Sequence, residues 1–203
     1  NIVAIAQGSS ELNVSAVISS DDEAKALQAI HKTFFDAKKT FINLFLIGTG
    51  LVGSTLLKQI KDSQAPIRIC GLANSKSGYL SNDGIPLQLW NKKLANSTPI
   101  TAEEFTNQMI QLNLPNSVFV DCTASEFVAK KYIEMAEAGF NIVTPNKKFN
   151  VLGMKDYKNL REVLAAQGRK FMYETNVGAG LPVISTIRDL IASGDKITKI
   201  EGI

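Results

Sequence analysis

A chain of 203 residues, 45% hydrophobic and 20% charged, can bury a sizeable core, and its length favours one full domain plus pieces of others over two complete ones. Its formal net charge of +3 is too small and too scattered to announce a nucleic-acid partner. The longest apolar stretch, Phe41 to Ile47, already contains Asn43 and falls far below the roughly 20 residues of a membrane helix, and no signal-peptide pattern opens the chain, so the expectation is a cytoplasmic protein without a membrane partner.

The two short runs Ile2 to Ala6 and Val14 to Ile18 read as strands, with the turn-forming Gln7-Gly8-Ser9-Ser10-Glu11 between them. Ser20 and Glu23 have capping-box spacing, and Ala24, Leu27, Ile30, His31 and Phe34 then recur at helical spacing. His31, the single histidine, is read as a helix residue rather than a ligand. Two strands and one helix cannot close a core, so this opening reads as the tail of a domain, with Lys38, Lys39 and Thr40 as a linker.

From Phe41 the pattern alternates strand and helix, the signature of a parallel sheet with helices on its faces. Strands are expected at Phe41 to Ile47, Ile67 to Ala73, Val118 to Cys122, Asn141 to Thr144 and Lys170 to Tyr173. The helix from about Gly50 to Asp62 should turn Val52, Leu56, Leu57 and Ile60 inward. Residues 75 to 116 read as a long, turn-rich crossover in which Thr101 and Glu104 form a capping box before Phe105, Met109 and Ile110. Further helices are expected at Ser125 to Ala138, stopped by Gly139, and at Met154 to Gln167, stopped by Gly168. Pro182 opens a last helix that Gly194 closes, and Ile197 to Ile203 begins a further strand. Cys70 and Cys122 each fall within an apolar strand run, which argues for reduced core thiols and against a disulfide framework or zinc site.

Gly48-Thr49-Gly50-Leu51-Val52-Gly53 follows a strand and opens a helix, the context in which G-x-G-x-x-G binds a dinucleotide. The first glycine makes the turn, the second admits a pyrophosphate, and the third allows close helix packing, while the free amides at the helix start would hold the phosphates. Glycines at such a turn can also be purely conformational. No acid stands about 20 residues further on to grip the ribose hydroxyls. Ala73-Asn74-Ser75-Lys76-Ser77 stands there instead, polar with one cation, which favours a 2′-phosphate and so NADP(H), although a lone Lys76 is more commonly a solvated loop residue. Thr123 and Lys147 lie at the carboxyl ends of two strands, where α/β sheets place their ligand crevice. Thr123 can contact a cofactor or cap the next helix. Lys147 can polarise a reacting oxygen, or pair with Lys148 as surface charge. Glu174 beside the glycine-rich turn through Val177, Ala179 and Leu181 offers hard oxygens to a cation, or is simply a conformationally demanding loop.

Cys70-Gly71-Leu72-Ala73-Asn74-Ser75, Val120-Asp121-Cys122-Thr123, Val143-Thr144-Pro145-Asn146-Lys147-Lys148 and Glu174 to Pro182, in this order and spacing, resemble homoserine dehydrogenase in the form fused behind an aspartokinase. Gln7 to Asn13 resembles the end of an aspartokinase ACT regulatory region. The resemblance implies the C-terminal part of an ACT domain at 1–37, a Rossmann-like NAD(P)-binding domain at 38–178 and the start of a substrate and dimerisation domain at 179–203. It implies NADP(H), or NAD(H), on Gly48 to Gly53, Ala73, Asn74, Ser75, Thr123 and Lys147, with Lys147 also reaching the substrate. Glu174 and the main chain of Val177, Ala179 and Leu181 would match a monovalent-cation site, usually sodium. The family interconverts L-homoserine and L-aspartate 4-semialdehyde by hydride transfer and is typically oligomeric. Its substrate-binding Glu, Asp and Lys fall beyond Ile203, so this polypeptide is expected to bind nucleotide and turn over little.

Two other readings stand beside this one. Another Rossmann oxidoreductase, such as an aspartate-semialdehyde dehydrogenase, would need a nucleophilic cysteine, for which Cys122 is poorly placed. A regulatory module would bind an amino acid through residues 1 to 35 without catalysis.

Overall fold

The computed structural model describes residues 2–7, 14–35 and 41–201, and the chain divides into two compact units, Asn1–Thr40 and Phe41–Ile203. In the first, β1 (Ile2–Gln7) pairs antiparallel with β2 (Val14–Ile18), in a register running from Ile2↔Ile18 to Gln7↔Val14, and α1 (Glu23–Phe35) follows. The expected turn at Gly8 to Glu11 and the linker at Lys38 to Thr40 lie outside the described residues.

The capping box expected at Ser20 does not form. Ser20–Asp22 is a 3-10 turn, so the extended backbone that a cap requires falls one residue earlier, at Ser19, whose side chain makes no capping hydrogen bond. Glu23 thereby becomes the first α-helical residue instead of the third. Ile2, Val3, Ile5, Val14, Val17, Leu27 and Ile30 stay exposed, in keeping with elements too few to bury one another.

The second unit is built on a six-stranded sheet. Its strands are β3 (Ile42–Ile47), β4 (Ile67–Ala73), β5 (Gly78–Leu80), β6 (Ser117–Asp121), β7 (Asn141–Val143) and β8 (Phe171–Met172), in the order β5-β4-β3-β6-β7-β8. All neighbours run parallel except β5, which is antiparallel to β4. The helices, in chain order, are α2 (Leu51–Ser63), α3 (Trp90–Ala95), α4 (Ala102–Gln111), α5 (Glu126–Lys130), α6 (Tyr132–Glu137), α7 (Met154–Ala166) and α8 (Val183–Ala192).

Alternation along β3 separates two apolar layers, as a strand buried on both faces requires. Leu44 and Leu46 join Ile69, Leu72 and Val120 under Leu57 and Ile60 of α2 and Leu94 of α3. Phe45 and Ile47 join Phe119 and Ile142 under Phe105 and Met109 of α4, Ala129 of α5, Tyr132 and Met135 of α6, and Leu160 and Leu164 of α7.

Several expectations needed correction here. On α2, Gly53, Leu57 and Ile60 form the buried stripe and Val52 is 53% exposed, because it sits in the first turn beside the open cavity at the strand ends. The single helix expected over Ser125 to Ala138 is two, broken at Lys131. There the Lys131 N–H donates back three residues to the Val128 carbonyl, and its ammonium bridges Glu103 of α4 at 3.1 Å and Glu134 at 3.0 Å. The crossover holds β5 and α3, which it was not expected to contain. Residues 197–201 form no strand, since no neighbouring edge pairs with them.

The Thr101 cap forms as expected: its hydroxyl accepts from the Glu104 N–H at 3.1 Å, and the Glu104 carboxylate accepts from the Thr101 N–H at 2.8 Å. Hydrogen bonds from Thr101 hold the Glu104 carboxyl below its ordinary value. Its contribution to stability is therefore present at neutral pH and is lost as the pH falls through that lowered value. Glu104→Ala should lower the urea midpoint at pH 7, and the gap from the parent should close as the solution is taken below the ordinary carboxylate range.

Candidate cofactor site

Five loops leave the carboxyl ends of β3, β4, β6, β7 and β8, and the sequence-predicted residues are spread along them. The glycine turn comes first. Gly48 has φ of +95°, its N–H donates to the Ala73 carbonyl at 2.8 Å, and a Cβ there would lie 2.7 Å from the Cys122 carbonyl carbon. A Cβ on Gly53 would lie 2.0 Å from the Gly48 oxygen. Packing against the protein itself thus accounts for both outer glycines.

The middle glycine differs. Gly50 has φ of −68°, open to any residue, and a Cβ added to it meets no atom within 4 Å. Its bareness serves no contact among the described residues, which leaves room for a ligand as well as a purely conformational reading. As the N-cap of α2 it also offers no side chain to the helix. The first helical bond is Ser54 N–H to the Gly50 carbonyl, so the amides of Leu51, Val52 and Gly53 precede the ladder. That arrangement fits a pyrophosphate.

At the end of β4, the Asn74 side-chain oxygen accepts from the Lys76 N–H at 2.8 Å and the Ser77 N–H at 2.9 Å. Asn74 thereby closes a tight turn and leaves Ser75 and Lys76 at its exposed tip. Ala73 beneath them is buried.

The ends of β6 and β7 share a buried polar cluster that sequence reasoning missed. The Asp121 carboxylate, fully buried, accepts from the Thr123 N–H at 2.8 Å, the Tyr132 hydroxyl at 2.6 Å and the Asn146 side-chain amide at 2.8 Å. The same Asn146 amide also donates to the Ser125 carbonyl at 2.9 Å. The Asn146 N–H donates to the Thr144 hydroxyl, which donates to the Asp121 carbonyl. Burial, then the neighbouring carboxylate, push the Tyr132 phenol far above its ordinary range, so it remains a donor. The one signal in the sequence was an acid closing the apolar run Val118 to Asp121.

Thr123 is half-buried and its hydroxyl accepts from the Ser125 N–H at 3.0 Å; Ser125 is the residue that caps α5, accepting from the Val128 N–H. Lys147 is exposed, in the loop between two anchored residues, Asn146 and Lys148. Cys122 lies just past β6, and burial, followed by Asp121, raises its thiol to about 11. A thiol held protonated in this way argues against the reading that required a nucleophile.

Beyond β8, both Glu174 carboxylate oxygens are committed to α8, accepting from the Ile184 and Ser185 N–H groups at 2.9 Å each. Gly178 and Ala179 follow in left-handed conformations, φ +73° and +53°. Among the described residues no group of three or more His, Cys, Asp or Glu could hold a metal. The loop's oxygens are partly engaged within it, the Leu181 carbonyl accepting from the Val183 N–H at 2.9 Å. Between α2 and the ends of β6, β7 and β8 lies an apolar cavity of ≈ 480 Å³, bordered by Leu51, Val52, Val143, Pro145 and Thr175. No helix among the described residues is long and apolar enough to cross a membrane.

Residues 48–174 match the family described as homoserine dehydrogenase, NAD binding domain. The chain belongs to the homoserine dehydrogenase family. Residues 1–34 match an ACT domain. A bifunctional aspartokinase/homoserine dehydrogenase of Buchnera aphidicola is 44% identical over 211 residues, covering 100% of this chain and 26% of the relative. A homoserine dehydrogenase of Schizosaccharomyces pombe is 35% identical, covering 82% of this chain and 47% of the relative. The chain thus spans about a quarter of the length of its bifunctional relatives. Among solved structures, the homoserine dehydrogenase of Thermoplasma acidophilum matches with a TM-score of 0.60 at 21% identity, over 76% of this chain and 49% of its own. A hyperthermophilic archaeal homoserine dehydrogenase in complex with NADPH matches with a TM-score of 0.61 at 16% identity, over 74% of this chain and 49% of its own. At such identity these two show the fold alone. The Rossmann-like parallel sheet, the ACT segment before it and a nicotinamide cofactor all follow from these matches.

Two substitutions separate the roles of the glycines. Gly50→Val should leave the thermal midpoint within a few degrees of the parent while abolishing nucleotide binding in a fluorescence titration. Gly53→Ala should lower the midpoint as well, because its new methyl has no space.

Proposed function

We propose that this chain is the NADP(H)-binding part of an enzyme that interconverts L-homoserine and L-aspartate 4-semialdehyde by hydride transfer. The observation that carries the reading is the open space at Gly50, the residue that caps α2 just ahead of its first amides. In this proposal those amides, with Gly48 and Thr49, receive the pyrophosphate, and Ala73, Asn74 and Ser75 border the adenosine ribose. The exposed Lys76 supplies the positive charge that a 2′-phosphate requires. Thr123 and Lys147 stand on the next two loops, toward the reacting end.

The bound cofactor supplies and receives the hydride. Lys147 acts on the substrate oxygen, its ammonium drawing electron density from the carbonyl as the hydride arrives at carbon and stabilising the alkoxide until it is protonated. Glu174 holds α8 while the main-chain oxygens of Val177, Ala179 and Leu181 offer a place for sodium.

The domain limits we propose are 1–37 for the ACT segment, 38–178 for the nucleotide-binding domain and 179–203 for the start of a substrate and dimerisation domain. The remaining substrate-binding groups would come from the further length that the relatives possess, within a homo-oligomer that acts in the cytoplasm. Titrated with each cofactor, the chain should bind NADPH at least about tenfold more tightly than NADH, a phosphate-directed charge being worth roughly 1.4 kcal/mol or more. Lys76→Ala should erase most of that preference. Equal affinity for both nucleotides in the parent would sink the NADP(H) assignment.

A further inference from the structure

We propose that Asp121 is a positioning residue for hydride transfer, fixing through Tyr132 and Asn146 the loop that presents Lys147; this rests on the role given to Lys147 above. Asp121, Tyr132, Thr144 and Asn146 are each at most 3% exposed. No salt bridge among the described residues reaches Asp121, so its burial is compensated by hydrogen bonds. A carboxylate held this way is costly to bury and organises whatever donates to it.

What donates to it is the frame around Lys147. The Asn146 side chain is fully satisfied: its amide protons go to Asp121 Oδ2 and the Ser125 carbonyl, and its oxygen accepts from the Lys148 N–H at 3.1 Å. This pattern fixes the orientation of the amide, because its NH2 faces two acceptors. The Asn146 N–H is held in turn by Thr144 Oγ1 at 2.8 Å. Lys147 is therefore the one free side chain between two backbone amides that are pinned, directly or through Asn146, to the end of β6.

Tyr132 sets the carboxylate. Its hydroxyl has one proton, and the 2.6 Å contact assigns that proton to Asp121 Oδ2. The same hydroxyl lies 2.8 Å from Thr144 Oγ1, whose single proton is shared between it and the Asp121 carbonyl, so Tyr132 touches both strand ends. Its ring stacks on Phe149 at 5.2 Å between centroids and meets Phe171 edge-on at 5.8 Å, so the hydroxyl cannot drift. The Thr123 N–H on the other carboxylate oxygen ties the loop after β6 to the same hub. One buried acid therefore sets the relative height of Thr123 and Lys147 over the strand ends, and misplacement of a reacting group by about 1 Å suffices to slow a reaction by up to 100-fold.

The test is a double-mutant cycle in a protein that carries this chain together with the remaining length its relatives have. Tyr132→Phe, which keeps the ring and removes the donor, should lower kcat about tenfold or more while the Kd for NADPH stays within about twofold. In the Lys147→Ala background the same substitution should have no further effect, since the group it misplaces is gone. Asn146→Ser should behave alike and serves as the second variant should Tyr132→Phe fold poorly. An equal loss in both backgrounds, or kcat and nucleotide binding falling together in both variants, overturns the proposal and makes the cluster structural. Full activity of Lys147→Ala would overturn the role given to Lys147 itself. An impaired Lys147→Ala beside an unaffected Tyr132→Phe and Asn146→Ser overturns only the positioning role.

Discussion

The fold rests on a contact that only glycine permits. At residue 53 the start of α2 is seated so close to the Gly48 oxygen that a single methyl would overlap it, and Gly48 in turn is pressed against the Cys122 carbonyl. These two close approaches bring β3, α2 and the end of β6 together at one point. The direction of α2, and so of its first amides, is a consequence of that seating. What the glycine turn could offer a pyrophosphate depends on this packing and not on a charged side chain.

A second constraint organises the opposite half of the sheet. Where the glycine turn uses the absence of atoms, the ends of β6 and β7 use a fully buried acid whose oxygens are all engaged by neutral donors. The two devices divide the labour. One leaves the residue ahead of the first amides of α2 bare, and the other closes its polar groups upon one another. A carboxylate also caps α8, where Glu174 meets two amides at a helix start, the same favourable meeting of negative charge and helix N-terminus.

How much of this could be read from residues alone depended on the range of the interaction. The apolar runs of β3 and β4, the glycine turn and the Thr101 box are set by neighbours within a few positions, and all stand within a residue or so of where the pattern placed them. At the break, Lys131 meets Glu103, 28 residues away, and no local pattern marks it. Likewise Asp121, Tyr132, Thr144 and Asn146 meet only once β6 and β7 lie side by side. Ser20 and Glu23 show the reverse failure, a correct local motif displaced by a 3-10 turn. The places of the glycine turn and of the strand-end loops were therefore legible, whereas the cluster beneath them was not.

The sheet ends in very short strands on both sides, β5 with three residues and β8 with two. An edge so brief exposes too few unpaired amides to template a further strand, and β5 reverses direction against its neighbour besides. Extension of this six-stranded sheet at either edge is thereby disfavoured, which makes its ladder a poor template for fibre growth.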